Sequence, residues 1–131
     1  MDIGCETKQD IFCSLCQVNQ VPRFTLRGLC QDSKLDSRYV WTGQRVNGKY
    51  AFNGYDSSFM QWDKDHLRWV TFNEKDPSIY AYTDTVPYQF EKGTWILIND
   101  TCNHVQYSRR EATLIFNACQ DGQFNCGDSI W

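Results

Sequence analysis

At 131 residues and 15.4 kDa, the chain is long enough for one modest hydrophobic core and too short for two full domains. Its 13 Lys and Arg against 16 Asp and Glu leave a net charge of -3, and the pI is near 5.2. That balance excludes the broad basic face needed to grip nucleic acid or an anionic membrane. No apolar run approaches the roughly 20 residues of a membrane-spanning helix, and the first residues do not read as a signal peptide.

In chain order, "KQDIFCSLCQ" has room for a turn or two of helix, and after it the pattern is β almost throughout. Phe24 and Leu26 alternate with Arg23, Thr25 and Arg27, the period-two signature of a half-buried strand within 23–29. Two aromatic strands follow over 37–43 and 49–55. Asn47-Gly48 lies between them and signals a hairpin, because both central residues of that turn must accept positive φ. "SSFMQWDKDHLRWVTF" reads as strands over 59–62 and 67–72, across a polar turn at Asp63 to His66. Ile79 and Ala81 alternate with Tyr80 and Tyr82 in a sixth strand. "GTWILIND" follows the turn at Glu91 to Gly93, and "EATLIFNA" is the last strand. Strands spaced by about 8 to 12 residues, with turns between, mark a β-sandwich or small barrel. The first and last strands, "FTLRGLC" and "ATLIFNAC", are alike and each ends in cysteine. Pairing them antiparallel brings the termini together and removes an exposed edge.

The seven cysteines, Cys5, Cys13, Cys16, Cys30, Cys102, Cys119 and Cys126, form two end clusters. That is a staple pattern, with the ends tied and the middle left to ordinary packing. An odd number leaves one thiol free or paired outside the chain. Asn99 and Thr101 form an Asn-Xaa-Thr glycosylation sequon, and with the cysteines it favours an oxidising, extracellular home. Cys13 and Cys16 have the spacing of half a zinc site, which His66 and His104 have the chemistry to complete. Neither a second CxxC nor an HxxxH is present, so no metal site is assigned. The same CxxC lacks the following helix that lowers a redox thiol's pKa.

Catalytic signals are weak. No nucleophile elbow, phosphate-cradling loop or His-Glu zinc motif occurs, and no cofactor is implied. Carboxylate pairs drawn from Asp32, Asp36, Asp63, Asp65 and Asp100 sit in turns, where charged groups are usually just solvated. The expectation is a protein that is not an enzyme. Aromatic residues make up 15% of the chain, more than one small domain buries, so some rings must face solvent. Trp62, Trp69 and Trp95 read as core. Trp41, Tyr80 and Tyr82 are the candidate partner or ligand contacts, with Arg109-Arg110 as a weaker anion-binding candidate in a turn before the last strand.

"LRGLCQDSKLDSRY", a tryptophan-centred middle and "LIFNACQDGQFNC" carry a resemblance over about 24–126. They resemble a little-characterised extracellular module of invertebrate multidomain proteins, found beside C-type lectin, pentraxin-like or ligand-gated channel domains. In that module an LDL-receptor class A repeat follows the last strand. "CQDGQFNC", including Phe124, is similar to the start of such a repeat, and the match breaks off near Trp131, before any calcium-binding cluster. The resemblance implies a Cys30–Cys102 bond within the module, with Cys5, Cys13 and Cys16 available to Cys119 and Cys126. The organisation expected is a cysteine-containing N-terminal arm over 1–23, a β domain over 24–118, and a truncated or degenerate class A-like repeat over 119–131. The expected fold is all-β, a single disulfide-stapled antiparallel sandwich or small barrel with its end strands paired. The expected function is non-enzymatic interaction or recognition within a larger secreted or cell-surface protein. Its partner would be another protein or neighbouring domains of the same polypeptide, with no nucleic acid and no membrane insertion. Lectin-like binding of carbohydrate or another small ligand is the alternative.

Overall fold

Alternating burial organises the chain into eight strands. In the computed structural model, which describes residues 20–30, 33–84, 92–100, 102 and 105–121, they are β1 (Gln20–Arg27), β2 (Arg38–Val46), β3 (Lys49–Asn53), β4 (Ser58–Asp63), β5 (Arg68–Asn73), β6 (Tyr80–Thr83), β7 (Lys92–Asp100) and β8 (Val105–Asp121). Each pairs antiparallel with its neighbour in sequence, and β8 pairs with β1, so the sheet closes into a barrel. Cys5, Cys13, Cys16, Cys126 and His104 lie outside the described residues, as do most of 1–23, expected to be an N-terminal arm, and most of 119–131, expected to be a class A-like repeat.

The hairpins follow local chemistry. Asn47 and Gly48 take φ of 55° and 85°, the left-handed pair that a two-residue turn matching strand twist requires. In the β4–β5 turn Asp63 receives the Asp65 N–H at 3.2 Å and bonds His66 Nδ1 at 2.9 Å. Leu67, expected to open a strand, takes φ of 52° in that turn and is 67% exposed. The reason is geometric: Asp63 pairs across to Arg68, leaving Lys64 to Leu67 to make the reversal. β2 runs on past its expected end at Gly43 by a register shift between Trp41 and Arg45, where Trp41 Nε1 donates to the Gln44 carbonyl at 3.0 Å.

The largest departure is β8, at 17 residues. Its first half pairs with β7, from Val105 opposite Asp100 to Thr113 opposite Lys92. Its second half pairs with β1, from Thr113 opposite Arg27 to Asp121 opposite Gln20. Arg109 and Arg110, read as a turn from local sequence, therefore sit in mid-strand against Ile96 and Trp95. Pairing overrides their indifferent β propensity.

Inward-facing side chains fill the barrel. Trp69, Trp95, Tyr39, Tyr50, Phe24 and Phe52 are each under 2% exposed. Phe24 meets Phe52 edge-on at 4.8 Å and stacks near Tyr39 at 5.9 Å. Each such ring contributes on the order of 2–3 kcal/mol by burial alone. The buried Tyr39 hydroxyl is bonded on both sides: it donates to the Leu35 carbonyl at 2.9 Å and bonds Thr71 Oγ1 at 2.5 Å. Burial pushes the Tyr39 phenol well above its ordinary range.

Cys30 and Cys102 are disulfide-bonded, 72 residues apart in sequence with Cα atoms 6.2 Å apart. The bond ties the β1–β2 loop to the β7–β8 connection at one end of the barrel. By constraining the unfolded chain, a loop of this length contributes on the order of 4 kcal/mol. Cys119 is also disulfide-bonded.

Gly28 marks where that loop presses on β8. It has φ of 113°, and a Cβ there would stand 2.5 Å from the Glu111 carbonyl oxygen. Gly48, also at positive φ, has nothing within 4 Å of such a Cβ. Gly28→Ala is expected to cost about 3 kcal/mol or more through strain and contact with backbone. Gly48→Ala costs about 1 kcal/mol through strain alone. Denaturant unfolding of the two variants reads the difference.

Candidate interaction surface

Because successive strand residues point to opposite faces, burying Met60, Trp69, Thr71, Ala81 and Leu97 turns their neighbours outward. On the outer face of β4–β8 the register lines up Phe59, Phe72, Tyr80, Ile98 and Tyr107 as directly paired residues on five adjacent strands. A second row holds Gln61, Val70, Tyr82, Ile96 and Arg109. At about 4.8 Å between strands, the two rows make a surface roughly 20 Å across. Phe59 stacks on Phe72 at 5.6 Å. Tyr80 lies 6.4 Å from Tyr82.

The Arg68 guanidinium stands 4.0 Å from the centre of the Tyr82 ring and 5.9 Å from that of Tyr80. Asp63 holds it there through Nε at 3.3 Å. Some burial acts against ionising Asp63, yet hydrogen bonds and charge from His66 and Arg68 bring its carboxyl below the ordinary value. A cation over two stacked rings joins the polar rim of this surface to its apolar middle.

The residues singled out from sequence fall in different places. Tyr80 and Tyr82 come together on the outer face. Trp41 instead lies against the core, stacked on buried Tyr50 at 5.3 Å. Arg109 is exposed on the outer face, whereas Arg110 is half-buried and lines a hollow at the disulfide end, so the two do not act as one anion clamp. Asn99 is exposed, and its side-chain amide donates to the Ser78 carbonyl at 2.7 Å. A glycan on that nitrogen leaves one N–H for the same bond.

Phe59, Phe72, Ile98 and Arg68 were missed. The signal was present in "SFMQWD" and "RWVTF", which are apolar at both alternations and so have no purely polar face to leave outside.

Of the carboxylates considered for acid–base work, Asp36 and Asp63 bond groups of their own turns, and Asp32 lies outside the described residues. Asp36 accepts the Gly28 and Leu29 N–H groups at 3.1 and 3.0 Å; burial raises its carboxyl despite these bonds and the nearby Arg27. Asp56 pairs with Lys75 at 2.5 Å and Lys34 at 3.0 Å. Among the described residues no group of three His, Cys, Asp or Glu is placed to hold a metal ion, and no helix is long and apolar enough to cross a membrane. No protein-family model, curated protein or solved structure matches the chain.

Hydrogen bonds from Lys75 and then Lys34 hold the Asp56 carboxyl below its ordinary 3.8. The stabilisation it brings to the Tyr55–Ser57 turn is thus complete above pH 3.8 and is lost as the pH falls through the lower, folded value. In an NMR titration, the Asp56 carboxyl and Lys75 Nζ resonances should move together with a midpoint below 3.8. A midpoint at or above it would mean the pairs do not form in solution.

Proposed function

We propose that this domain is a non-enzymatic interaction module of a larger extracellular or cell-surface protein, and that it docks a protein surface against the outer face of β4–β8. The observation that carries this reading is the two-row aromatic and aliphatic surface, with Arg68 set over Tyr80 and Tyr82. A closed barrel has no edge to offer a partner strand. An eight-stranded barrel is just wide enough to be filled by side chains or to hold one small ligand. Here large rings occupy the interior, so recognition falls to the outer surface. Aromatic residues and arginine are the types that dominate binding energy at protein interfaces. The partner is a separate protein or a neighbouring domain of the same polypeptide, each of which meets the same apolar centre and charged rim.

The double variant Tyr80→Glu with Ile98→Glu places charge at the centre of this face while leaving the inward-facing side chains untouched. Affinity for the physiological partner, measured by surface plasmon resonance, is expected to fall about 30-fold or more, the factor for loss of a hot-spot contribution of about 2 kcal/mol. Unchanged affinity in a variant with a wild-type melting curve refutes the assignment of the face.

The extracellular setting has its own test. Protein made through a secretory pathway should carry a glycan that Asn99→Gln removes. Alkylation in denaturant without reduction should modify at most one of the seven cysteines. Alkylation of most of them rules out the secreted reading.

A further inference from the structure

Away from the β4–β8 face, the outer side of β1 and β2 carries a cleft of about 470 Å³, lined by the cations Arg27, Lys34 and Arg38, by one carboxylate, Asp36, by Thr25, Ser33 and Ser37, and by Tyr55. Arg27 and Asp36 also line an adjoining hollow of about 450 Å³. Each volume is within the range of small-ligand sites. In an acidic chain, this grouping of cations follows from register. Thr25 pairs directly with Arg38. Arg27 lies two residues along β1 on the same face, a diagonal neighbour at roughly 7–8 Å.

The charges are not all engaged. Lys34 is shared with Asp56 at 3.0 Å. Asp36 spends its two oxygens on the Gly28 and Leu29 N–H groups and attracts Arg27 without a hydrogen bond to it. Arg38 makes no ion pair among the described residues. The hydroxyls are complementary. Ser33 Oγ accepts from the Leu35 N–H at 3.1 Å, leaving its O–H to donate. Thr25 donates to Asn117 at 2.7 Å, leaving its oxygen to accept.

Tyr55 supplies a second, independent observation. It is 80% exposed, the most exposed large apolar side chain described. It is followed by two non-glycine residues at positive φ, Asp56 at 54° and Ser57 at 66°. The turn is pinned: the Tyr55 N–H donates to Ser37 Oγ at 2.7 Å, and Asn73 Nδ2 donates to the Asp56 carbonyl at 2.7 Å. A strained backbone held by its surroundings, presenting a ring to water beside a basic cleft, is the kind of arrangement that persists at binding sites.

We infer that the cleft binds an acidic saccharide, with a sulfate or carboxylate held by Arg27 and Arg38, the sugar's apolar face on Tyr55, and its hydroxyls on Thr25 and Ser33. A bare anion uses the cations alone and leaves the ring and hydroxyls idle; an acidic sugar engages all three. This site is separate from the protein-docking face. It gives carbohydrate recognition, left as the alternative from sequence, a location and a charge requirement.

The test is isothermal titration calorimetry with a heparin-derived sulfated hexasaccharide, a hyaluronan hexasaccharide, maltohexaose, inorganic sulfate and an oligoglutamate. The sulfated or the carboxylated hexasaccharide should bind while maltohexaose does not, and which of the two binds identifies the anion. Arg27→Gln with Arg38→Gln should weaken that binding about 30-fold or more, as expected for loss of bidentate charged contacts. Tyr55→Ala should weaken it about 10-fold through loss of ring stacking. Lys64→Gln, in the β4–β5 turn at the opposite end of the barrel, should leave it unchanged, as should the Tyr80→Glu, Ile98→Glu pair, so loss of the docking face and loss of this site are read separately. Should the arginine variant fail to fold, amide shift mapping of the unaltered protein decides, with Arg27, Lys34, Arg38 and Tyr55 expected to move. The proposal is overturned if neither acidic hexasaccharide binds, if inorganic sulfate or oligoglutamate binds as tightly, if Tyr55→Ala has no effect, or if the shifts map elsewhere.

Discussion

Closure by one long strand is the constraint on which the rest depends. β8 hydrogen-bonds first to β7 and then to β1, and so converts a seven-strand meander into a ring. Thr113 marks the handover, facing Lys92 on one side and Arg27 on the other. Closure removes both sheet edges, which in an open sheet would be templates for pairing with other chains. It also sets which side of every strand faces the interior, because a one-residue slip anywhere would turn a whole strand inside out. The bulge that admits Asn117 between Phe116 and Ala118 lets β8 follow β1 around the bend. Asn117 then receives the Thr25 hydroxyl, so the irregularity is bonded into the sheet.

The filled interior follows from closure. Indole and phenyl rings occupy the space that a wider or emptier barrel would leave for a ligand. At the end formed by the β2–β3 and β4–β5 turns, cations cover the outermost rings: Arg45 lies 4.6 Å from the centre of Tyr50 and Lys49 5.1 Å from that of Trp62. The chain still carries more aromatic side chains than the barrel encloses. Among the described residues, Phe59, Phe72, Tyr80, Tyr82 and Tyr107 are gathered on the outer face of β4–β8, and Tyr55 stands exposed. Grouped rings bordered by charge are what protein and sugar surfaces dock against, and this is why the proposed functions are placed there.

The opposite end is built to be rigid. The Cys30–Cys102 bond, the Asp36 carboxylate capping the Gly28 and Leu29 N–H groups, and the close approach of Gly28 to Glu111 together fix the β1–β2 loop against β8. Asn73, Ser58, Lys34 and Asp56 then bind the neighbouring turn to that loop, with Ser58 Oγ donating to the Lys34 carbonyl at 3.0 Å. A cleft edged by these segments keeps its shape without a ligand, which lowers the ordering cost of binding one.

Much of this is local and was readable without coordinates. Period-two alternation marks the strands, Asn47-Gly48 marks its turn, and the apolar content of each strand marks a β core, because side-chain direction and turn dihedrals depend on residues only one or two apart. What could not be read depends on partners distant in sequence. Tyr39, Tyr50 and Tyr55 look alike locally, yet their exposures are 0%, 1% and 80%. Arg109 and Arg110 resemble a polar turn until β7 draws them into a strand and points them to opposite sides. Phe59 with Met60 and Phe72 with Thr71 have no pattern that says which faces inward. The cleft joins Arg27 and Arg38 only because β1 and β2 pair with Thr25 opposite Arg38. Residue types and their spacing are enough to establish a β chain with cysteines clustered towards its ends and an excess of rings. Which rings and charges share a surface follows from strand register around a closed barrel, and register is set by all eight strands at once.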